Sequence, residues 1–330
     1  MKMGQSDDSV MRNSRRRAST RHSRRGWVIG GVLAMLAMAW LGHANALAAG
    51  TIIHAVGIEN EYADVISQIG GQYVQVAAIE TDPNTDPHTF EVSPKVAQEI
   101  AASTLIVKNG LGYDSWADRI ITAAPNAGRR VIDAQQLLDL PENTPNPHLW
   151  YDPKTMSAVA KAVAADLSAL EPTETAFFQA NETKFDDSLK AWLASMASFK
   201  ARYRGTPIAV TEPVADYMLQ AAGCDIATPF SLQAAIMNGT DPSPQDVTTQ
   251  NTLFSGHKVE VFVYNQQVTD SLTQSFLTLA RRNVIPIVGV YETMPNGYHY
   301  QAWMVAEVEA LRKAVTDKIS TEKLAAGSRQ

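Results

Sequence analysis

Runs of apolar residues alternate with helical patterns along most of the chain. In the first half, four short apolar runs predict β-strands at residues 51–56, 74–79, 104–107 and 130–133. Helical patterns separate these strands at residues 62–69, 94–102 and 114–124. Because strands that alternate with helices at this spacing form βαβ units, we expect a parallel sheet.

Proline marks several of the predicted helix starts. Ser93-Pro94 and Asp152-Pro153 each place a capping residue before a proline, an order that favours the first turn of a helix. The second of these helices is expected to reach about Leu170. Pro213 is expected to begin a later helix, which Gly223 ends.

A long helical pattern begins at Pro172 and reaches about Tyr203. Its apolar residues recur at spacings of three, four and seven and form one face. They are Phe178, Phe185, Leu189, Trp192, Met196, Phe199 and Tyr203. A helix of about 30 residues spans roughly 45 Å, which is longer than one small domain needs. We expect a rigid helix that joins two lobes; two helices broken near Ala180 are the alternative.

The second half repeats the alternation of strands and helices. Strands are predicted at residues 207–211, 224–227, 259–264 and 284–290, and helices at residues 271–281 and 298–315. Residues 229–256 are polar and predict a loop, followed by a helix that begins near Ser243. The polar tail from Lys318 is expected to fray.

These patterns predict an α/β fold of two small lobes, each with a parallel sheet of about four strands. The N-terminal lobe covers residues 50–171, one long helix links the lobes at 172–204, and the C-terminal lobe covers 205–330. In such sheets ligands bind beyond the carboxyl ends of the strands. The crevice between the lobes is therefore the expected pocket.

The first 49 residues predict a secretory signal rather than part of the fold. A basic stretch precedes an apolar run from Trp27 to Leu41, and Ala44-Asn45-Ala46 supplies small residues for cleavage near residues 46–49. A membrane anchor is the alternative, but the run is short for a span of ~20 residues. Ser23-Arg24-Arg25 also resembles a twin-arginine signal, so the export route stays open.

Charge and cysteine content narrow the class of protein. The leader carries Lys2 and seven arginines against Asp7 and Asp8, a net of +6, so the remainder of a chain with a total of −6 carries −12. An acidic exported protein is a poor ligand for nucleic acid. The sole cysteine, Cys224, can form no internal disulfide and is expected to be a buried, inert thiol. It lies far from the signal sequence, so there is no lipobox cysteine to acylate, and we expect a soluble periplasmic protein. We also expect a monomer.

Two histidines stand out among the five that follow the leader. His88 and His148 each come directly after a proline, in turn-rich segments that precede helices. Held in this way, the two imidazoles could face one another across a pocket and bind a metal. His54 is expected to be a core histidine, His257 to lie in a surface turn, and His299 to begin the last helix.

Two glutamates follow strands of the second lobe. Glu212 comes after the strand at 207–211, and Glu292 after the strand at 284–290, both in apolar surroundings. An unpaired carboxylate there is costly, and a divalent cation would compensate its charge. The alternatives are a helix N-cap for Glu212 and a solvated turn for Glu292.

The chain resembles the metal-binding solute-receptor family of ABC transporters for zinc and manganese. The motifs that carry the resemblance are Asp86-Pro87-His88-Thr89-Phe90-Glu91, Asn146-Pro147-His148-Leu149-Trp150-Tyr151-Asp152-Pro153, Thr211-Glu212 and Tyr291-Glu292-Thr293-Met294-Pro295. The resemblance implies four metal ligands, His88, His148, Glu212 and Glu292, although aspartate is more usual at the fourth position. It also implies two lobes joined by a long helix, with a membrane permease and an ATPase as partners.

The identity of the metal depends on the donor atoms. Two imidazoles and two carboxylates suit Mn2+ or Fe2+ better than a three-histidine set does, and the chain has no histidine-rich loop. Both points favour Mn2+, with Fe2+ possible. Zn2+ is the alternative, because it binds nitrogen and oxygen ligands more tightly and accepts tetrahedral His/Glu sites.

Two other functions compete with a metal receptor. An exported metallohydrolase needs an open coordination position and a general base, and four protein ligands leave little room for either. The chain also has no His-Glu-x-x-His motif or nucleophile elbow, so we expect no enzymatic activity. A receptor for an organic or chelated solute would need an aromatic cleft, whereas Trp116, Trp150 and Tyr151 are expected in the core.

Overall fold

The computed structural model of the chain describes residues 52–328. The signal sequence predicted for residues 1–49 lies outside this range. Between residues 52 and 328, no helix combines the length and the apolar content that crossing a membrane requires.

The first sheet has four parallel strands in the order β2-β1-β3-β4. The strands are β1 (Ile53–Glu59), β2 (Val74–Glu80), β3 (Leu105–Lys108) and β4 (Arg130–Asp133). The helices of this half are α1 (Asn60–Gly70), α2 (Pro94–Ala102), α3 (Ser115–Ala123), α4 (Ala134–Leu137) and α5 (Thr155–Leu170). The chain moves outward from β1 to β2 and then returns past β1 to β3, which opens a crevice at the carboxyl ends of β1 and β3.

The second sheet repeats this topology in the order β6-β5-β7-β8, again all parallel. Its strands are β5 (Pro207–Val210), β6 (Asp225–Ile226), β7 (Val261–Asn265) and β8 (Ile287–Val290). The remaining helices are α7 (Asp216–Ala221), α8 (Phe230–Met237), α9 (Pro244–Ser255), α10 (Ser271–Arg282) and α11 (Tyr300–Asp317). The predicted pair of four-stranded parallel sheets is confirmed.

One long helix links the two lobes, as predicted. A short 3-10 turn, Pro172–Glu174, leads into α6 (Thr175–Tyr203), which is unbroken, so the alternative of two helices is wrong. Six of the seven apolar residues on its predicted face are buried, and Tyr203 is partly buried. This face packs on α5 of the first lobe and on α11 of the second, so one apolar core runs through both lobes.

Two of the three predicted core aromatics are fully enclosed. Trp150 and Tyr151 have no exposed surface, while Trp116 is partly buried against a smaller cluster beneath the first sheet. Cys224 is buried, and burial raises the pKa of its thiol to about 12, consistent with an inert thiol. His54, expected in the core, is instead exposed at the amino end of β1, where it lines a cavity with Glu99.

Of the three helix starts predicted from proline, one is confirmed and two lie a few residues later. The Ser93 hydroxyl accepts the expected capping hydrogen bond at the start of α2. The helix predicted from Asp152-Pro153 begins later, at Thr155, because the Asp152 carboxylate accepts a hydrogen bond within the preceding turn. A turn closed by the Pro213 carbonyl likewise delays α7 until Asp216.

Two polar segments are more ordered than their composition predicts. The stretch 229–242 contains α8, whose Leu232 and Ile236 are spaced for one helical face and are buried. The tail, predicted to fray, is ordered over the described residues 318–328. Thr321 pairs alongside β8, since its N–H donates to the Ile287 carbonyl at 2.8 Å and its carbonyl accepts from Gly289 at 2.9 Å. The order of the tail could not be predicted from its composition, because backbone groups make this pairing.

Candidate metal centre

The predicted ligands all lie just beyond the carboxyl ends of the two sheets. His88 occupies a 3-10 turn after β2, which Asp86 stabilises by accepting a hydrogen bond from the His88 N–H at 2.8 Å. His148 begins the turn that leads towards α5. Glu212 and Glu292 follow β5 and β8, respectively. The topology of parallel sheets therefore places residues that are distant in sequence at one crevice.

Three of these side chains converge on one point. His148 Nε2 lies 3.2 Å and His88 Nε2 lies 3.3 Å from the same oxygen, Glu292 Oε2. One ligand atom from each residue lies within 4.8 Å of the other two. A tetrahedral ion with bonds of about 2.1 Å holds its ligand atoms about 3.4 Å apart, so the spacing suits a small divalent cation.

The three side chains differ in their access to solvent. The His88 side chain is 30% exposed, whereas those of His148 and Glu292 are fully buried. The alternative of a solvated turn for Glu292 is therefore wrong. The opening of the centre lies on the His88 side.

Asn146 fixes the orientation of His148. Its Oδ1 lies 2.7 Å from His148 Nδ1 and also accepts a hydrogen bond from the His148 N–H at 3.0 Å. An amide oxygen can only accept, so Nδ1 must carry the proton and Nε2 keeps its lone pair for a metal. The Asn146 Nδ2 donates to the Pro213 carbonyl at 2.7 Å, which ties this turn to the second lobe.

Several donors hold the Glu292 carboxylate. The Tyr113 hydroxyl donates to Oε2 at 2.9 Å, and Asn265 Nδ2 donates to Oε1 at 2.6 Å. The Glu292 N–H donates to Gln267 Oε1 at 2.6 Å. Both the carboxylate and its backbone are therefore fixed.

Glu212 lies beside this trio but does not join it. Its side chain is buried, Oε1 accepts a hydrogen bond from Asn265 Nδ2 at 3.3 Å, and Oε2 has no hydrogen-bond partner. Burial and the neighbouring Glu292 raise the pKa of Glu212 well above its ordinary value. The N-cap of α7 is Ala215, so the alternative of a capping role for Glu212 is wrong. Its free oxygen is a buried acceptor that a cation would satisfy.

The pKa values of these three side chains depend on one another. Burial opposes charge on both histidines; contacts with Glu292 outweigh it for His88 and raise its pKa, whereas burial prevails for His148 and lowers its pKa. For Glu292, burial acts to raise the pKa, but the contacts with both imidazoles outweigh it and lower the pKa. The centre thus offers an ionised carboxylate and one neutral imidazole.

Sequence reasoning missed the residues that support the ligands, namely Tyr113, Asn146, Asn265 and Gln267. The position of two of them was a signal, because Asn265 ends β7 and Gln267 follows it, so both lie at the carboxyl end of a strand, as Glu212 does for β5. The other histidines lie elsewhere: His257 is exposed in a turn, and His299 Nδ1 lies 2.7 Å from Asp64 Oδ1 at the start of α11.

Comparisons with known proteins identify the family of the chain. A family model described as zinc-uptake complex component A, periplasmic (ZnuA), matches residues 59–314. Metal-binding protein YtgA of Chlamydia trachomatis is 29% identical over 157 residues, which cover 44% of this chain and 47% of that protein. The manganese ABC transporter substrate-binding lipoprotein PsaA of Streptococcus pneumoniae is 24% identical over 152 residues, which cover 42% and 49%, respectively. The chain thus spans about half the length of these curated relatives.

A solved structure shares the fold over nearly its whole length. The SBP FpvC from Pseudomonas aeruginosa, in complex with Mn2+, superposes with a TM-score of 0.66 at 18% identity, covering 81% of this chain and 99% of that one. At this level of identity the likeness establishes the two-lobed fold alone.

Proposed function

Because the chain belongs to the family of zinc-uptake complex component A, periplasmic proteins, we propose that it is a periplasmic solute-binding protein that captures a divalent transition metal. It would deliver the metal to the permease and ATPase of an ABC importer, acting as a monomer. The observation that carries the proposal is the convergence of His88, His148 and Glu292 on one point between the lobes. The signal sequence proposed at 1–49 would be removed on export.

The proposed ligands are His88, His148, Glu292 and Glu212. The first three need only small shifts to surround an ion, and Glu212 would supply the fourth donor from its unpartnered Oε2. Asn265 donates to both carboxyl groups, so it would keep Glu212 and Glu292 side by side until the ion arrives. The proposed boundaries assign the histidines to the lobe at 50–171 and the carboxylates to the lobe at 205–330, joined by the helix at 172–204.

Mn2+ is the proposed cargo, with Zn2+ second and Fe2+ possible. Two carboxylates beside two imidazoles favour Mn2+ and Fe2+, whereas intrinsic affinity favours Zn2+. The comparisons name both metals, because PsaA is described as a manganese-transporter protein and the family description names zinc. The ligand set supports the order of preference.

An enzymatic function is less well supported. A metallohydrolase keeps one coordination position open for water, whereas in the proposed site Glu212 would fill that position. A receptor for an organic solute is also disfavoured, because Trp150 and Tyr151 are enclosed in the core and do not line a cleft.

Metal analysis of the protein isolated from the periplasm tests the proposal. Wild-type protein should carry about one ion per chain, and the His88→Ala and Glu292→Ala variants should lose it. His257→Ala is the matched control, because that imidazole is exposed and remote from the centre. Metal content that is unchanged in both site variants would refute the assigned site.

A further inference from the structure

One side chain joins the two loops that carry His88 and Glu292. Gln267 follows β7 and is buried. Its Oε1 accepts hydrogen bonds from the N–H groups of Glu292 at 2.6 Å and Thr293 at 3.0 Å. Its Nε2 donates to the Thr85 carbonyl at 2.7 Å and to Thr293 Oγ1 at 3.2 Å. The amide thus spans from the second lobe to the first.

Thr85 belongs to the His88 loop, which we define as residues 81–92 between β2 and α2. Most of its residues are exposed, and its turns are closed by its own Asp82 and Asp86. A cavity of about 160 Å³ is lined by residues of the loop and by Thr293 of the second lobe. An exposed loop that borders a cavity on this side has few contacts to hold it against the second lobe.

Few hydrogen bonds tie the His88 loop to the rest of the chain. Within residues 52–328 they come from Gln267 and from Gln266, whose Nε2 donates to the Pro83 carbonyl at 3.2 Å. The other polar link is the contact between His88 and Glu292. Both glutamines come from the second lobe, so they connect the lobes beside the opening of the metal centre.

The segment that carries Glu292 is anchored independently of Gln267. The Asn60 side chain of α1 accepts a hydrogen bond from the Met294 N–H at 2.9 Å and donates to the Met294 carbonyl at 2.8 Å. Asp64, one turn later in α1, accepts a hydrogen bond from the Tyr300 N–H at 2.9 Å. Loss of Gln267 should therefore release the His88 loop and leave Glu292 nearly in place.

We propose that Gln267 is a positioning residue that latches the His88 loop over the metal centre, and that its release opens the path by which the metal leaves. The role requires an amide, because one end must accept from two N–H groups while the other donates to a carbonyl. The inference rests on the proposed function, since it concerns the same metal centre. Losing such a supporting contact should weaken metal binding about 10- to 100-fold, mainly through faster dissociation.

Hydrogen exchange on the metal-free protein tests the latch without any metal. In Gln267→Met the amides of residues 84–90 should exchange faster than in wild type. Gln267→Glu is a second variant that keeps the acceptor for Glu292 and Thr293 but loses the donor to Thr85, so it should free the loop with those two amides still protected. Gln245→Met, at an exposed position of α9, is the matched control and should match wild type. A midpoint of thermal unfolding close to wild type would show that each variant is folded.

Release of Mn2+ to an excess of chelator then measures the consequence for the metal. Dissociation should be about 10- to 100-fold faster in both Gln267 variants and unchanged in the control. Wild-type exchange in the His88 loop of both variants, or wild-type dissociation rates, would overturn the proposal. A wild-type chain that binds neither Mn2+ nor Zn2+ would overturn the proposed function instead, and the exchange measurement would still decide whether Gln267 holds the loop.

Discussion

Replacing Asn146 isolates the contribution of imidazole orientation to metal binding. Asn146 is not a proposed metal ligand. Its Oδ1 accepts hydrogen bonds from the Nδ1–H and the backbone N–H of His148, and its Nδ2 donates to the Pro213 carbonyl. In Asn146→Ala all three hydrogen bonds are lost, while the proposed ligands remain. His148 would then be free to place its proton on Nε2, the atom that must face the metal.

The magnitude follows from these contacts. Residues that orient a metal-bound histidine contribute about 10- to 100-fold to affinity, or about 1.4–2.7 kcal/mol. Each of the three lost hydrogen bonds has a net value of about 0.5–1.5 kcal/mol, so their loss would also lower the free energy of unfolding. Asn146→Asp should recover most of the affinity, because a carboxylate still accepts from Nδ1, although it cannot donate to Pro213.

Competition titrations against a chelator of known affinity, with Mn2+ and Zn2+ separately, measure the first effect. Urea denaturation of the metal-free protein measures the second. A dissociation constant within twofold of wild type in Asn146→Ala, together with reduced stability, would refute the orienting role. It would leave Asn146 as a structural link between the lobes.

Three further outcomes are expected. Burial acts to lower the pKa of His88, but contacts with Glu292 outweigh it and raise the pKa, and burial together with Glu292 raises the pKa of Glu212; burial lowers the pKa of His148, which is already neutral. The metal must therefore displace a proton from both His88 and Glu212 where these are protonated, and affinity should fall at least about tenfold per pH unit as pH drops below the His88 pKa. Calorimetry in buffers of different ionisation enthalpy measures the number of protons released. Trp192→Ala should lower the free energy of unfolding by about 3–5 kcal/mol, whereas Leu193→Ala, on the exposed side of the same helix, should have little effect in urea titrations. A chain that ends at Lys318 should lose about 2–4 kcal/mol with the backbone pairing along β8, and an unchanged urea midpoint would contradict that contribution.

The elements that sequence predicted best are those with a strong apolar period. The apolar face of the 29-residue helix α6 could be recognised because most of its turns bury an apolar side chain, and parallel strands such as β3 and β7 are buried on both sides. The predictions were wrong where side-chain contacts or packing override the local preference for a helix or a buried strand. The side chain of Asp152 closes a turn instead of capping the helix, and His54 lies in an apolar run that packing leaves open at one end.

Some residues of the metal centre were also predicted from the sequence, and others were not. His88 and His148 were predicted from their shared position after proline, and Glu292 from its place after a buried strand. The structure brings these three together and leaves Glu212 beside them, linked to Glu292 by Asn265, which donates to both carboxyl groups. The role of Gln267 could not be predicted, because its partners lie 182 and 25 residues away.

Two α/β lobes, the helix between them and the residue types able to hold a metal could all be predicted from the order of residues. Apolar periodicity and turn residues act over a few positions, so they can be recognised without coordinates. Folding in three dimensions sets which donor atoms approach one oxygen of Glu292, which imidazole nitrogen faces it, and which amide connects the two loops. Those outcomes depend on distances of a few ångströms between segments far apart in the chain, which packing of the two sheets and α6 sets.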